Sequence, residues 1–537
     1  MQIEKRRSLL RYALAVDLVL IASGLAFLFP ASPPIILGAF IAAVVIVTSM
    51  GGEALGLAAT ASSLIVIAVF FRSVVDATSL LLYAAAAAAA YLIARLMRGT
   101  APGEAGLPFA VALPLLVVVI YTDLSNAVMT HYAVPSLLQP LIALLALFVW
   151  WYRDRFHPSR AILHPVAILL GVYCLVMFTG TVWARDVELA DARVAEAVKA
   201  LFICILAGSL ASSWTALRRG IVALIVAATC FSVISVIQVL TGKLTGIFGG
   251  LIDLQSGNIY ADVSLPRASG PPVGDPNFYA RILLVAIPLA VALAVAERWP
   301  RRRIAYMFAA CAITAGTLLT YSRGAMLTLV VMAVLLAIAW PLRLRQAALA
   351  AAGVIILLLA FPSDVTRRML TLQNLLPGKT HTLDLDSSVE ERELLVRAGI
   401  GMFADHPIGG VGPANFETHF RSYGDRVGSA AYDFHPAGTR MFPHGLWVEI
   451  AAESGLLGLI AFGSVLVAAF VALWRARRDL LAHRETTNAA MATGLAIALA
   501  GYLGASLFLH ETHLRYIGLY LGLIVGMTRV ARAEAAA

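Results

Sequence analysis

The chain has 537 residues, of which 60% are hydrophobic and only 13% charged. A soluble domain carries about 25% charged residues, so the apolar excess must face lipid and a soluble globular fold is excluded. The net charge of +9 does not mark a nucleic-acid partner, because the basic residues sit in short links between hydrophobic runs rather than in one patch.

Taken in order, apolar runs predict spans near 9–29, 34–50, 54–71, 78–97, 108–121, 137–152, 161–182, 197–214, 219–240, 278–296, 304–320, 324–340, 347–361, 455–474, 488–509 and 514–530. The expected fold is an all-α polytopic membrane protein of about 16 transmembrane helices (range 12–16) with two long outer loops, the second partly helical. Lys5-Arg6-Arg7 precedes the first run, which is too long for a secretory signal and reads as an uncleaved helix. Clusters at Arg95/Arg98, Arg153/Arg155/Arg160, Arg218/Arg219, Arg298/Arg301/Arg302/Arg303, Arg343/Arg345 and Arg475/Arg477/Arg478/Arg484 then all fall on one side. That side is cytoplasmic by the positive-inside rule, as are both termini. Four sections are expected: 1–160, N-terminal spans of unassigned role; 161–361, a core with its first outer loop at 241–277; 362–454, a large outer loop and the helix returning from it; and 455–537, the last spans.

Inside the spans ionisable residues are scarce, with Asp17 the main exception. That weighs against an ion-coupled transporter, which needs such groups near the midplane. Cys174, Cys204, Cys230 and Cys311 all lie in hydrophobic runs, so neither a loop disulfide nor a Cys-ligated metal is expected. No histidine pair has the spacing of a zinc motif, and no metal or cofactor is expected.

Chemistry concentrates on the outer face. Residues 265–277 are dense in Pro and Gly and predict turns rather than strand, with Asp275-Pro276-Asn277 opening the next span and Arg267 just ahead of it. Tyr321-Ser322-Arg323-Gly324 is a tight turn in which Ser322 can cap the following span. Pro443 opens the helix that carries His444. Three helix N-termini, two with an arginine and one with a histidine, would make a diphosphate site at the membrane boundary. The helix-end potential would keep the imidazole of His444 neutral and able to accept a proton. The plainer alternatives are headgroup contacts for the two arginines and an interfacial role for the histidine.

The second loop reads as a folded lid. Ser388-Val389-Glu390-Glu391 fits a capping box. Leu394, Leu395, Ala398 and Met402 follow at helical spacing until Asp405-His406-Pro407. Residues 407–413 form a turn and Asn415 to Phe420 a short second helix. Glu449 and Glu453 share a helix face, where each can orient His444 or bond a neighbouring loop. His131, His381, His406, His419, His435, His510 and His513 read as solvated or structural.

The Arg267-Ala268-Ser269-Gly270 to Pro276-Asn277 segment, the Tyr321-Ser322-Arg323-Gly324 turn, the stretch from Asp405 to Phe416, and His444 followed by Glu453-Ser454-Gly455-Leu456-Leu457-Gly458 occur in that order. Together they resemble the O-antigen ligase and O-antigen polymerase superfamily of bacterial membrane glycosyltransferases, over about residues 160–530. The resemblance implies an inner-membrane enzyme with a periplasmic site. It would move a glycan, without a metal, from an undecaprenyl-diphosphate-linked donor to an acceptor hydroxyl; the reaction expected here is an inverting transfer, with a glycan or lipid A–core as acceptor. By motif position the catalytic residues would be His444, Arg267 and Arg323, with Arg267, Arg323, Asn277 and Glu453 binding substrate. Gly445 follows His444 where the family more often has Asn. The extra spans and large second loop favour a polymerase over a ligase. A protein (pilin) O-oligosaccharyltransferase and a polysaccharide or lipid transporter stand as alternatives.

Overall fold

In the computed structural model the described residues are 107–126, 138–243, 245, 251–260, 263–272, 274–340, 387–427, 441–510 and 514–535. The expected spans before residue 107, with Asp17, and the one at 347–361 lie outside them. The described chain is mostly helical. Helices α1 (Leu107–Tyr121), α2 (Leu138–Trp151), α3 (Pro165–Gly180), α4 (Val187–Leu210) and α5 (Trp214–Thr241) come first. A hairpin of β1 (Asp253–Tyr260) and β2 (Val263–Ser269) precedes α6 (Pro276–Ala296), α7 (Pro300–Leu318) and α8 (Arg323–Ala339). The lid helices α9 (Ser387–Asp405) and α10 (Phe416–Val427) are followed by α11 (Leu446–Ala482), α12 (Thr486–Ser506) and α13 (Leu514–Ala535).

Among the described residues, five helices are long and apolar enough to cross a membrane: α5, α6, α11, α12 and Leu514–Glu534 within α13. The others on apolar runs are shorter or carry charge. α4 starts at Val187, well before the expected 197, because Asp186 caps it by accepting from the Leu189 N–H. Its first turns therefore hold Glu188, Asp191 and Arg193.

The bundle is held by close backbone approach, the main source of helix association where lipid removes a hydrophobic drive. Gly518, Gly522 and Gly526 repeat every fourth residue on α13 and lie against Ala200, Cys204, Ala207 and Ala211 of α4 and its end. A Cβ on Gly522 would fall 2.8 Å from the Cys204 carbonyl oxygen, and backbone cannot yield. Gly522→Leu is expected to separate α4 from α13 and lower the melting temperature in detergent by about ten degrees or more, or to prevent folding. Gly463→Ala, where an added Cβ would meet only open space, should melt like wild type. The outward stripe of α11, with Leu456, Leu457, Ile460, Val467 and Trp474 exposed, is the surface lipid would cover.

The arginine clusters gather at one end. Arg218 at the start of α5 bonds Glu297 after α6 at 2.8 Å, and Arg302 of α7 lies 4.0 Å from the same carboxylate. Arg529 near the end of α13 donates to the Gly208, Phe156 and His157 carbonyls. Trp474, exposed beside Arg478 with the guanidinium 5.5 Å from its ring, fits the aromatic belt of a membrane boundary.

At the other end the expectation of turns without strand in the first loop is corrected. Pro and Gly shape only residues 270–275, where the Gly274 N–H bonds the Gly270 carbonyl. Residues before them pair as an antiparallel hairpin with Gln255 opposite Arg267. A two-stranded ribbon is marginal alone. Here the Ala268 N–H donates to the Leu319 carbonyl at 2.9 Å, tying β2 to the end of α7.

Candidate functional site

The frame of the site is a break in α11. Its 37 residues would span about 55 Å if straight, far more than the roughly 30 Å of a bilayer core. Gly455 interrupts it at φ 60, ψ −155. The backbone groups freed there are satisfied by the 407–412 turn. Leu456 and Leu457 donate to the Pro407 and Ile408 carbonyls at 2.8 and 3.2 Å, while Ala452 and Glu453 accept from the Val411 and Gly412 N–H groups at 2.9 and 3.0 Å. The Glu453 carboxylate accepts from the Ala414 N–H at 2.7 Å and the Phe416 N–H at 3.4 Å, closing the start of α10. The buried Asn415 side chain receives the Asp186 N–H and donates to the Asp186 carbonyl. The Asp405–Phe416 stretch and the Glu453-Ser454-Gly455 triplet are thus two halves of one structural joint.

That joint has no room for a side chain at Gly410, which has φ +67 and whose Cβ would strike the Glu453 backbone. Gly410→Ala is expected to release the lid, making the 387–427 segment cleavable by low protease concentrations that leave the wild type intact.

Above the joint, α9 lies on the first turns of α11. Leu394, Leu395, Ala398 and Met402 are buried with Val411, Phe416, Phe420, Tyr423, Met441 and Ala452, as their spacing predicts, and α9 ends at Asp405 as expected. Two local readings are corrected. α9 already includes Ser387, so Ser388 is not its cap. The second lid helix runs Phe416–Val427 because Asn415 is engaged with Asp186 and the helix starts after it.

Three helix starts meet here. Asp275 caps α6 by accepting from the Asn277 and Phe278 N–H groups at 2.7 and 3.1 Å, with Pro276 in the first turn. Arg267 reaches from β2 across both neighbours: its Nε donates to the Thr320 carbonyl at 2.9 Å and an Nη to Asn277 Oδ1 at 3.3 Å. Thr320 leads into the tight turn at Tyr321, which holds φ 51, and α8 opens with Arg323. Ser322 stands at the cap position but its hydroxyl makes no capping bond, contrary to expectation. Asn277, Ser322, Gly324, Arg392, Phe508 and Leu509 line a small recess that opens to solvent.

His444 precedes α11 rather than lying within it. The helix starts at Leu446, behind the extended Gly445, so Pro443 does not open it. The His444 ring sits edge-on to His510, with centroids 6.1 Å apart. Nδ1 of His444 is buried without a hydrogen-bond partner among the described residues. Its pKa is pushed down to about 4, first by burial and then by the Arg392 cation, with Asp275 pulling the other way. The imidazole is therefore neutral near pH 7 as expected, but burial and Arg392 are the causes rather than the helix end.

Glu449 and Glu453 do not orient His444. Glu449 pairs with the half-buried Arg193 of α4, and Glu453 holds the lid joint. Both line a second small recess with Tyr173, Met177 and Leu446. Glu453, expected to bind substrate, has its carboxylate occupied by backbone N–H groups.

Three residues escaped the sequence reading. Arg392, in the lid helix between two glutamates, was not singled out. His510, read as solvated or structural, is buried between Phe442, stacked at 4.9 Å, and the edge of Phe278 at 5.1 Å. Arg281 lies one turn beyond Asn277, inside a span where ionisable residues were expected to be scarce. It is 1% exposed, faces the Phe278 and Tyr502 rings at 4.9 and 4.8 Å, and donates to Ser506 Oγ and the His510 carbonyl. A single cation among so many apolar residues vanishes in a window average, but its spacing of four from Asn277 was a usable signal.

No curated protein matches the chain. Residues 308–463 match the family described as O-antigen ligase, a stretch that takes in Arg323, Arg392, the lid joint and His444 but stops short of Arg267 and Asn277. The match points to a glycosyl-transfer role in polysaccharide assembly. That match, spanning the α8 turn, the lid and the break in α11, makes this part of the chain similar to the O-antigen ligase family and supports the resemblance to the O-antigen ligase and polymerase superfamily.

Proposed function

We propose that the protein transfers a glycan from an undecaprenyl-diphosphate-linked donor to an acceptor hydroxyl, at the periplasmic face of the bacterial inner membrane. The observation that carries this reading is the meeting of two helix starts beside one recess: Arg267 bridges Asn277 and Thr320, Asn277 and Ser322 line the recess, Arg323 opens the adjoining helix, and the neutral His444 lies within electrostatic reach of Asp275 at the α6 cap.

His444 takes the proton of the acceptor hydroxyl as its oxygen attacks the anomeric carbon from the face opposite the leaving group, a general-base role worth about 10²–10⁴-fold. The bond from that carbon to the diphosphate oxygen breaks, and its electron pair leaves with the diphosphate. Arg267 and Arg323 stabilise the charge that builds there, in a site where fixed donors cost no reorganisation. The anomeric configuration inverts, and no step calls for a metal.

Purified protein given a lipid-diphosphate glycan and an acceptor should form a new glycosidic bond of inverted configuration. Transport of the donor across a vesicle without a new bond would instead favour a transporter. The acceptor follows from a deletion strain: single repeats on the carrier lipid mean a polymerase, long chains retained on it a ligase, and a pilin without glycan a protein transferase. The acid limb of kcat/KM is expected near pH 4 rather than 6.5, because the free enzyme holds His444 neutral down to that pH; a limb at 6.5 would remove the buried imidazole from the mechanism.

A further inference from the structure

Of the residues lining the recess, Arg392 alone is a cation, and it comes from the lid rather than from the bundle. It stands across from Asn277, Ser322 and Gly324, which belong to the two helix starts bridged by Arg267. Two turns of α9 bury Leu394, Leu395 and Ala398 directly after it, so the helix surface that carries Arg392 is fixed over the recess by packing. Arg392 is also near enough to His444 for its charge to be felt by the imidazole, as is Asp275 from the α6 cap.

We propose that Arg392 is a third cationic contact for the donor's diphosphate, supplied by the docked lid. This rests on the reading of the recess as a lipid-diphosphate site. A diphosphate spreads its charge over several oxygens, and guanidinium forks approaching from different directions match them better than two from one side. The arrangement also couples donor binding to the lid: a lid that swings away takes a third of the cationic contacts with it.

Binding of farnesyl diphosphate, farnesyl monophosphate and farnesol to the purified full chain in detergent tests this, together with kcat/KM profiles against pH. Wild-type protein should bind the diphosphate best. Arg392→Gln should weaken diphosphate binding by about tenfold or more with little change for farnesol, and Arg392→Lys should retain part of it. The same Gln variant should shift the acid limb upward, since removing a neighbouring cation makes His444 easier to protonate. Arg397→Gln, on the same helix but in an exposed pair with Glu393, should bind like wild type. Wild-type affinity in Arg392→Gln, with binding lost in Arg323→Ala, overturns the Arg392 contact and leaves the function standing. Equal loss in Arg397→Gln assigns the effect to the lid fold and also overturns it. A wild-type protein that prefers farnesol to the diphosphate overturns both.

Discussion

Replacing His444 with alanine is expected to reduce glycosyl transfer by the purified protein about 100-fold or more, while its yield, melting temperature and affinity for a lipid diphosphate stay close to wild type. The imidazole makes one edge contact with His510, and its buried Nδ1 has no partner among the described residues, so removing it orphans no neighbouring group. The structural consequence is confined to pH. The folded pKa of about 4 lies below the unfolded value of about 6.5. Between those values the unfolded chain binds more protons, so wild-type stability falls as pH drops through that window. His444→Ala should lose this part of the slope. A variant that keeps full activity refutes the general base, and one that loses both activity and fold shows that His444 is structural.

The arginine substitutions carry the second large effect. Arg323→Ala should cost about 10²–10³ in kcat/KM, the usual loss when one fixed donor is taken from developing negative charge. Arg267→Lys should be almost as damaging, although the charge is kept. A guanidinium can hold the Thr320 carbonyl and Asn277 Oδ1 together, as Arg267 does, whereas an ammonium is a point charge without that fork. Arg267→Lys should therefore loosen the union of the α6 and α8 starts as well as weaken donor binding. Isothermal titration with farnesyl diphosphate separates the two variants from His444→Ala, which should bind normally. Activity in Arg267→Lys within about threefold of wild type would mean that charge alone matters there.

Much of the bundle was legible because lipid leaves helices little alternative, and so apolar runs land on α1 to α8 and on α11 to α13. The start of α6 was legible to the residue, since Asp275-Pro276 states its own cap. Local signals misled where distant chain supplied the partner. β2 looked like a turn because its strand character depends on pairing with Asp253–Tyr260, and its anchor is the Leu319 carbonyl. The break at Gly455 is invisible in a sequence that reads as one long helix, because the bonds that compensate it come from Pro407 to Gly412. Glu453 was assigned to substrate for the same reason: the Ala414 and Phe416 N–H groups that bond its carboxylate are neighbours only in space. The two arginines and the histidine were singled out because each sits beside a helix start that short-range chemistry marks. Arg392 was not, since its place over the recess is fixed by Leu394 and Leu395 docking elsewhere.

Those arginines and that histidine serve one reaction in this account, so the direct test is to see what they hold. A cryo-electron microscopy map of the protein in a lipid nanodisc with undecaprenyl diphosphate should show the two phosphates between Arg267 and Arg323, with the His444 ring facing the position of the broken sugar bond and the prenyl chain running down the bundle into lipid. Phosphate density at the opposite end, among Arg218, Arg302 and Arg529, or phosphates beyond reach of both Arg267 and Arg323, would contradict it.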